Sequence, residues 1–260
     1  MNDDLFVYKF RAVNKRLVDS LVNPHLYFAK PSDLNDPFDC RLNLRAAFQK
    51  AMSVADGERA LFLKKHLDNQ PFFDTWESTL TTVGVCSFSM HTDNALFETL
   101  LWAHYADEHR GVCLKYQFPK SFLLSTQFQL VVGGEIDYCA DPLVERLLNS
   151  PTADEEQFVK DLALTYLKTK SPAWDYEKEV RLIRKASGIF AIDGGFLKQV
   201  YFGLQTPKED KQLVFRLAND YCRCIDFFEM VRDERCFGFI SQPYHHPSAA
   251  QPIGQHGPRA

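Results

Sequence analysis

The chain has 260 residues, of which 45% are hydrophobic and 13% aromatic, and it carries a formal net charge of −4. That is ample apolar material for a sizeable core, and the mild acidity excludes a globally basic surface of the kind that grips nucleic acid, while leaving room for a local basic groove. No apolar run approaches the ~20 residues that cross a bilayer, and Met1-Asn2-Asp3-Asp4 is neither a basic leader nor an apolar signal core, so a cytoplasmic protein with no membrane association is expected, with export as an effector left open.

Residues 5–11 alternate into a first strand ending at Arg11, and Asn14 to Leu21 has the spacing of a short helix. A second strand over 25–29 is closed by Pro31. The turn formers of 32–39 come next, read first as a capped turn and second as a pocket rim carrying Asn35 and Asp36. From Leu42 to Leu67 the composition and spacing are helical, with Gly57 separating two helices of an early insert.

Val83 to Ser89 is a strand ending in two hydroxyls, Ser87 and Ser89, that share a face. Exposed serines at a strand end often serve only as caps for the next helix. Asn94 to His104 has helical spacing and brings Trp102 and Tyr105 near the end of that strand. His109-Arg110-Gly111 then turns into the strand 112–116. Strands are expected at 130–138, 199–202, 224–230 and 236–240, and helices at 154–168 and 207–221.

After Ser241 the composition shifts to Pro, His, Gly, Gln and Ala without apolar periodicity, which predicts a disordered tail over 241–260 behind one domain over 1–240. Strands and helices in uneven order make that domain α+β, with no internal repeat. The seven cysteines are odd in number and scattered, with several in apolar stretches, as buried thiols in a reducing compartment would be. Cys222-Arg223-Cys224 is too tight for a usual zinc pair, and no metal site is expected.

The stretch Trp174 to Ile183 is read as a strand with its charges in an odd place. On an extended backbone Asp175, Glu177, Glu179, Arg181 and Ile183 project one way. Glu177 and Glu179 would then stand about 7 Å apart, at roughly 3.3 Å per residue. Two carboxylates so placed raise each other's proton affinity unless a cation such as Arg181 answers them. The plain alternative is a solvated Glu/Arg ladder.

An arginine ending the first strand (Arg11), a Ser-x-Ser in the middle (Ser87, Ser89) and a late Glu-x-Glu (Glu177, Glu179) come in the order of the arginine-serine-glutamate class of the ADP-ribosyltransferase superfamily, which this chain resembles. The resemblance implies two packed, mostly antiparallel sheets that bind NAD between them as substrate. Arg11 would meet the phosphates of NAD. Ser87, with Ser89 nearby, would bond the nicotinamide-side ribose and support the glutamate. Glu179 would bond the ribose and stabilise the positive charge that grows as the nicotinamide bond breaks. Glu177 would orient or deprotonate the acceptor, a protein or nucleic acid that the residues do not name. Phe88, Trp102 or Tyr105 would stack on nicotinamide. A toxin, effector or phage-defence role would fit such an activity.

Three longer stretches, 26–39 (with Asn35-Asp36-Pro37-Phe38), 102–113 (Trp102, His104, Tyr105, His109, Gly111) and 174–181, together resemble a widespread bacterial family classed as a domain of unknown function, over nearly the whole chain to about Ile240. Two other classes stay open. One is a non-catalytic nucleotide- or protein-binding module whose glutamates sit in structural ion pairs. The other is a metal-dependent nuclease using Glu177 and Glu179 with Asp36, Asp39 or Glu135 and Lys178 or Arg181. A Cys/His hydrolase is less well supported, because Cys86 or Cys113 with His104 or His109 shows no orienting motif. His104 and His109 read more simply as structural residues than as ligands.

Overall fold

A computed structural model describes residues 4–90, 95–151 and 154–246. In chain order the elements begin with β1 (Leu5–Arg11), α1 (Lys15–Val22) and β2 (His25–Phe28), succeeded by the helical insert α2 (Leu44–Val54), α3 (Gly57–Leu67) and α4 (Gln70–Thr82). Next come β3 (Gly84–Met90), α5 (Thr99–Tyr105), β4 (Val112–Phe118), α6 (Lys120–Leu123), β5 (Leu130–Glu135), β6 (Asp137–Tyr138), α7 (Pro142–Asn149) and α8 (Glu155–Lys168). The chain continues through β7 (Thr169–Lys170), β8 (Glu179–Arg184), β9 (Gly188–Ala191), β10 (Leu197–Phe202), α9 (Lys208–Tyr221), β11 (Asp226–Arg232) and β12 (Phe239–Pro243). The fold is α+β with mostly antiparallel strands, flanking helices and an early helical insert, as expected.

The elements gather into two compact units, each made of separate stretches of chain. The first holds 26–90 and 118–190. Its centre is β8, with all six residues buried and antiparallel partners on both sides. The register with β3 sets Ser87 opposite Arg181 and Ser89 opposite Glu179. The face of β8 bearing Ile183, with Val85 beside it, joins an apolar layer built by the insert and by α7 and α8, including Phe48, Leu63, Phe73, Leu147, Phe158 and Leu162. Hydrophobic burial on this scale fixes the register, because a slip of one residue would turn every core side chain of the strand outward. Gly84 is required where β3 starts. A Cβ there would come within 2.7 Å of the Ala186 carbonyl oxygen and of Ser187.

The second unit holds the described parts of 5–25, 91–117 and 191–260, with strand order β12-β11-β10-β4-β1. β10 pairs antiparallel with β4 and parallel with β11, which pairs antiparallel with β12. α1 starts where Asn14 accepts from the Arg16 and Leu17 amides, the usual role of an asparagine N-cap. Gly203 is also confined to glycine, since a Cβ would lie 2.2 Å from the His109 carbonyl oxygen.

Several expectations need correction. Residues 172–177 are not strand: Pro172–Glu177 is a short 3-10 helix, Lys178 takes a left-handed conformation with φ 43°, and β8 begins only at Glu179. Helices α4 and α7 and strand β9 occupy stretches left without an element. The last strand lies at Phe239–Pro243 and not at 236–240. The start of the expected tail is therefore ordered. The Tyr244 amide donates to the Phe227 carbonyl at 2.9 Å, and the His246 ring stacks on Phe215 at 4.4 Å. Residues 247–260 of that tail, and Asn94 at the expected start of the helix before His104, lie outside the described residues.

Candidate functional site

The candidate site lies in the first unit and is built around the start of β8. Ser171 accepts from the Ala173 amide and Pro172 opens the 3-10 helix, whose last residue is Glu177. The left-handed turn at Lys178 then reverses the geometry that a continuous strand would have given. Glu177 and Glu179 reach one ammonium group: Lys170 Nζ lies 2.5 Å from Glu177 Oε2 and 3.1 Å from Glu179 Oε2. Lys170 comes from β7, set beside β6, and its ammonium also stands 4.8 Å from the centre of the Trp174 ring.

The chain of charges continues through Arg181. Its Nε donates to Glu179 Oε1 at 2.6 Å and its Nη2 to Glu179 Oε2 at 3.3 Å, the forked contact that a planar guanidinium favours. Nη2 also pairs with Asp39, while Nη1 donates to the Leu167 carbonyl at 2.9 Å and to Cys40 Sγ at 3.3 Å. The Ser87 hydroxyl bonds Glu179 from the neighbouring strand. The Glu179 amide donates to the Tyr138 hydroxyl at 2.8 Å. Asp39, Lys170, Glu177, Glu179 and Arg181 are each between 1% and 6% exposed.

Charges buried so deeply survive only if paired. Burial is the strongest influence on Glu179 and pushes its carboxyl up, yet the Arg181 charge and hydrogen bond, helped by Lys170 and Ser87, win and hold it down at about 2. Burial likewise pulls Lys170 down, and the charges of Glu179 and Glu177 override it, so Lys170 binds its proton more tightly than a free lysine. Burial pulls Arg181 down, and the charges of Glu179 and Asp39 override it and hold it well above its ordinary value. Burial pushes the Cys40 thiol to about 12, so it stays a neutral thiol beside the guanidinium. Three carboxylates thus face two cations.

Of the residues singled out in the sequence, Ser87, Ser89, Glu177 and Glu179 come together here with Arg181. Phe88, between the two serines, points to the other face of β3, is buried, and meets Phe118 edge-on at 5.7 Å. Arg11, Trp102 and Tyr105 belong to the second unit. Trp102 is fully buried, its ring edge-on to Phe10 at 5.1 Å and its indole N–H donating to the Leu96 carbonyl at 2.8 Å. Tyr105 is half-buried beside His104, with ring centres 6.3 Å apart. Arg11 is half-buried at the end of β1.

His109 occupies a turn in which Asp107, Glu108 and His109 all have positive φ. Its carbonyl accepts from the Gln205 amide and its ring packs on Phe239, while its ring Nδ1 is buried with no hydrogen-bond partner among the described residues. Asp36 accepts from the Phe38 amide at 2.9 Å, as the capped-turn reading of 32–39 requires.

Sequence reasoning missed three members of the site: Lys170, Asp39 in its role as the partner of Arg181, and Tyr138. Asp39 stands 142 residues from Arg181, and no local pattern links them. The 3-10 helix did leave a signal in Ser171-Pro172, a capping residue with proline next to it at the first helical position. Among the described residues no group of three or more His, Cys, Asp or Glu side chains is arranged to hold a metal ion, and no helix is long and apolar enough to cross a membrane.

Residues 101–182 match the family model described as a protein of unknown function, DUF2971. The match runs from α5 through most of β8 and takes in two of the three stretches that carried the resemblance to an uncharacterised family. No curated protein and no solved structure matches the chain.

Proposed function

We propose that the chain consumes NAD as an ADP-ribosyltransferase or glycohydrolase, with Glu179 as the carboxylate that stabilises the reacting ribose. The observation that carries this reading is the Ser87 hydroxyl bonded across the β3–β8 pair to Glu179, a carboxylate held ionised down to about pH 2. A group of that kind presents fixed negative charge where positive charge grows, without having to lose a proton first.

In the reaction the bond between C1′ of the ribose and the nicotinamide nitrogen breaks, and its electron pair leaves with neutral nicotinamide. The oxocarbenium-like centre is balanced by Glu179. The acceptor's nucleophile, or water, then adds to C1′ and gives its proton to Glu177. Both glutamates are buried, so on this reading the site opens before NAD reaches them. Much of the 3-10 helix Pro172–Glu177 is exposed, with Trp174 and Tyr176 partly covered. Arg181, behind Glu179, is a positioning residue.

The test is a time course of nicotinamide release by mass spectrometry, comparing wild type, Glu179→Gln and Ser87→Ala, with and without cell lysate, and with thermal unfolding recorded for each. Release by wild type that is abolished in folded Glu179→Gln and weakened about tenfold or more in Ser87→Ala is the expected result.

A second reading has its own observation. Both Glu179 oxygens are already engaged, Oε1 by Arg181 and Oε2 by Lys170 and Arg181. On that reading the cluster is a structural keystone in a non-catalytic binding module, and folded wild-type protein releases no nicotinamide under either condition.

A further inference from the structure

Strand alternation puts Arg184 on the face of β8 opposite Glu179 and Arg181, and its surroundings there are unlike theirs. Arg184 is 7% exposed, yet no carboxylate among the described residues answers its charge. Three phenyl rings surround the guanidinium instead: the centres of Phe190, Phe28 and Phe128 lie 4.0, 5.2 and 5.5 Å from its central carbon. Nε donates to the Phe128 carbonyl. Among the described residues Nη1 and Nη2 have no hydrogen-bond partner, and neither belongs to the partnerless polar atoms sealed from solvent, so both reach accessible space. Burial pulls the proton affinity of the guanidinium down with no neighbouring charge to oppose it, the reverse of the outcome at Arg181. A permanent cation kept among aromatic rings without a counter-ion is costly until something answers it.

We infer that Arg184 receives the carboxylate of a small organic acid with an apolar body, bound end-on by Nη1 and Nη2. The fork of these two amino groups matches the two oxygens of a carboxylate, and the Phe128 carbonyl, by occupying Nε, leaves that edge as the one open to a ligand. The site offers one positive charge, which a monoanion neutralises, whereas a phosphate dianion would bring a second, unanswered charge against phenyl rings. Apolar surface for the body of the acid is present on the segments that supply the rings, where Leu124, four residues before Phe128, and Ile189, next to Phe190, are exposed. The inference does not depend on the NAD reading, since Arg184 projects away from the charge cluster on the other face of β8.

The experiment is equilibrium dialysis of the whole protein against 2-naphthoate, its neutral amide 2-naphthamide, and inorganic phosphate, in mildly alkaline low-salt buffer where phosphate is a dianion. Saturable binding of 2-naphthoate at one site per chain is expected, with the amide and phosphate each about tenfold weaker or more. Arg184→Met, which keeps much of the volume and deletes the charge and the fork, should weaken 2-naphthoate about tenfold or more and leave the amide within about twofold, with unfolding curves confirming that the variant is folded. The inference is overturned by folded wild type that binds 2-naphthoate no better than the amide, by phosphate that binds as tightly as 2-naphthoate, or by 2-naphthoate binding that survives in folded Arg184→Met. Should Arg184→Met not fold, Arg184→Lys takes its place: it keeps the charge without the fork, a loss of about fivefold or more is expected, and unchanged binding overturns the inference.

Discussion

Arg181 and Lys64 each hold a carboxylate within 3 Å, and the two contacts differ in almost everything that decides their worth. Lys64 Nζ meets Asp68 at 2.9 Å on the surface of α3, one turn apart in sequence, with both side chains more than 60% exposed. Arg181 meets Glu179 at 2.6 Å where both side chains are 3% exposed or less, and it binds Asp39, Cys40 and the Leu167 carbonyl as well. Water screens the first pair and would hydrate either partner set free. In the second, each group has given up its water and depends on the others. Distance alone therefore says little about an ion pair, and the largest mutational effects should sit where a charge has no solvent to return to.

Arg181→Met is the strongest way to break that contrast. The methionine fills part of the volume and leaves Asp39 and Glu179 buried without their guanidinium, along with an unanswered Leu167 carbonyl. A loss of about 3–5 kcal/mol in urea unfolding is expected, the scale seen when one partner of a buried pair is removed. A loss below about 1 kcal/mol would mean that water reaches the cluster freely, and the comparison with the surface pair would collapse.

Glu179→Gln has a smaller effect, and pH makes it diagnostic. Glu179 is held down from an ordinary 4.5 to about 2, so its contribution is fully present above pH 4.5 and is lost as the pH falls toward 2. The displacement corresponds to on the order of 3 kcal/mol. Because glutamine resembles the protonated acid, the stability gap between wild type and Glu179→Gln should be about 2–3 kcal/mol at pH 7 and should close to under about 1 kcal/mol near pH 2. A gap that stays constant from pH 7 to pH 2 would show that the lost group is shape and hydrogen bonding, not charge. Lys170 works in the opposite sense: its raised value adds stability at neutral pH that fades only in strongly alkaline solution.

The parts of this arrangement that could be read from sequence are those set by local periodicity. The alternation of Ser87 and Ser89 placed both hydroxyls on the face that meets Arg181 and Glu179, and the apolar spacing of 154–168 gave α8 to within a residue. Asn14 and Gly57 marked the starts of α1 and α3. The pairing of Glu177 with Glu179 on one strand face was misread because charges at spacing two imitate a strand, whereas Ser171-Pro172 and the left-handed Lys178 make the first half a helical turn. Helix α4 also left a signal, in Asn69 with Pro71 close behind it and an apolar series at Phe72, Phe73, Trp76 and Leu80. Asp39 had none, since it reaches Arg181 across 142 residues, and Lys170, seven residues before Glu177 and nine before Glu179, is brought to them by the 3-10 turn between them, which no strand or helix periodicity announces.

Lys64→Ala sharpens the comparison from its weak end. The substitution removes the ion pair with Asp68, but Asp68 is the C-cap of α3 and remains hydrated, and Lys65 still supplies positive charge to the last turn. Alanine is also a slightly better helix former than lysine, which offsets part of the pair's contribution. The expected change in unfolding free energy is within about 0.5 kcal/mol, and it should shrink further at 1 M salt, where the Debye length falls to about 3 Å. The same salt series on wild type and Arg181→Met should leave the larger gap almost unchanged, because ions in solution do not enter a cluster whose members are almost fully buried. If Lys64→Ala costs more than about 1 kcal/mol and salt removes that cost, the outer surface of α3 carries real electrostatic stabilisation and burial is not the variable that separates the two pairs.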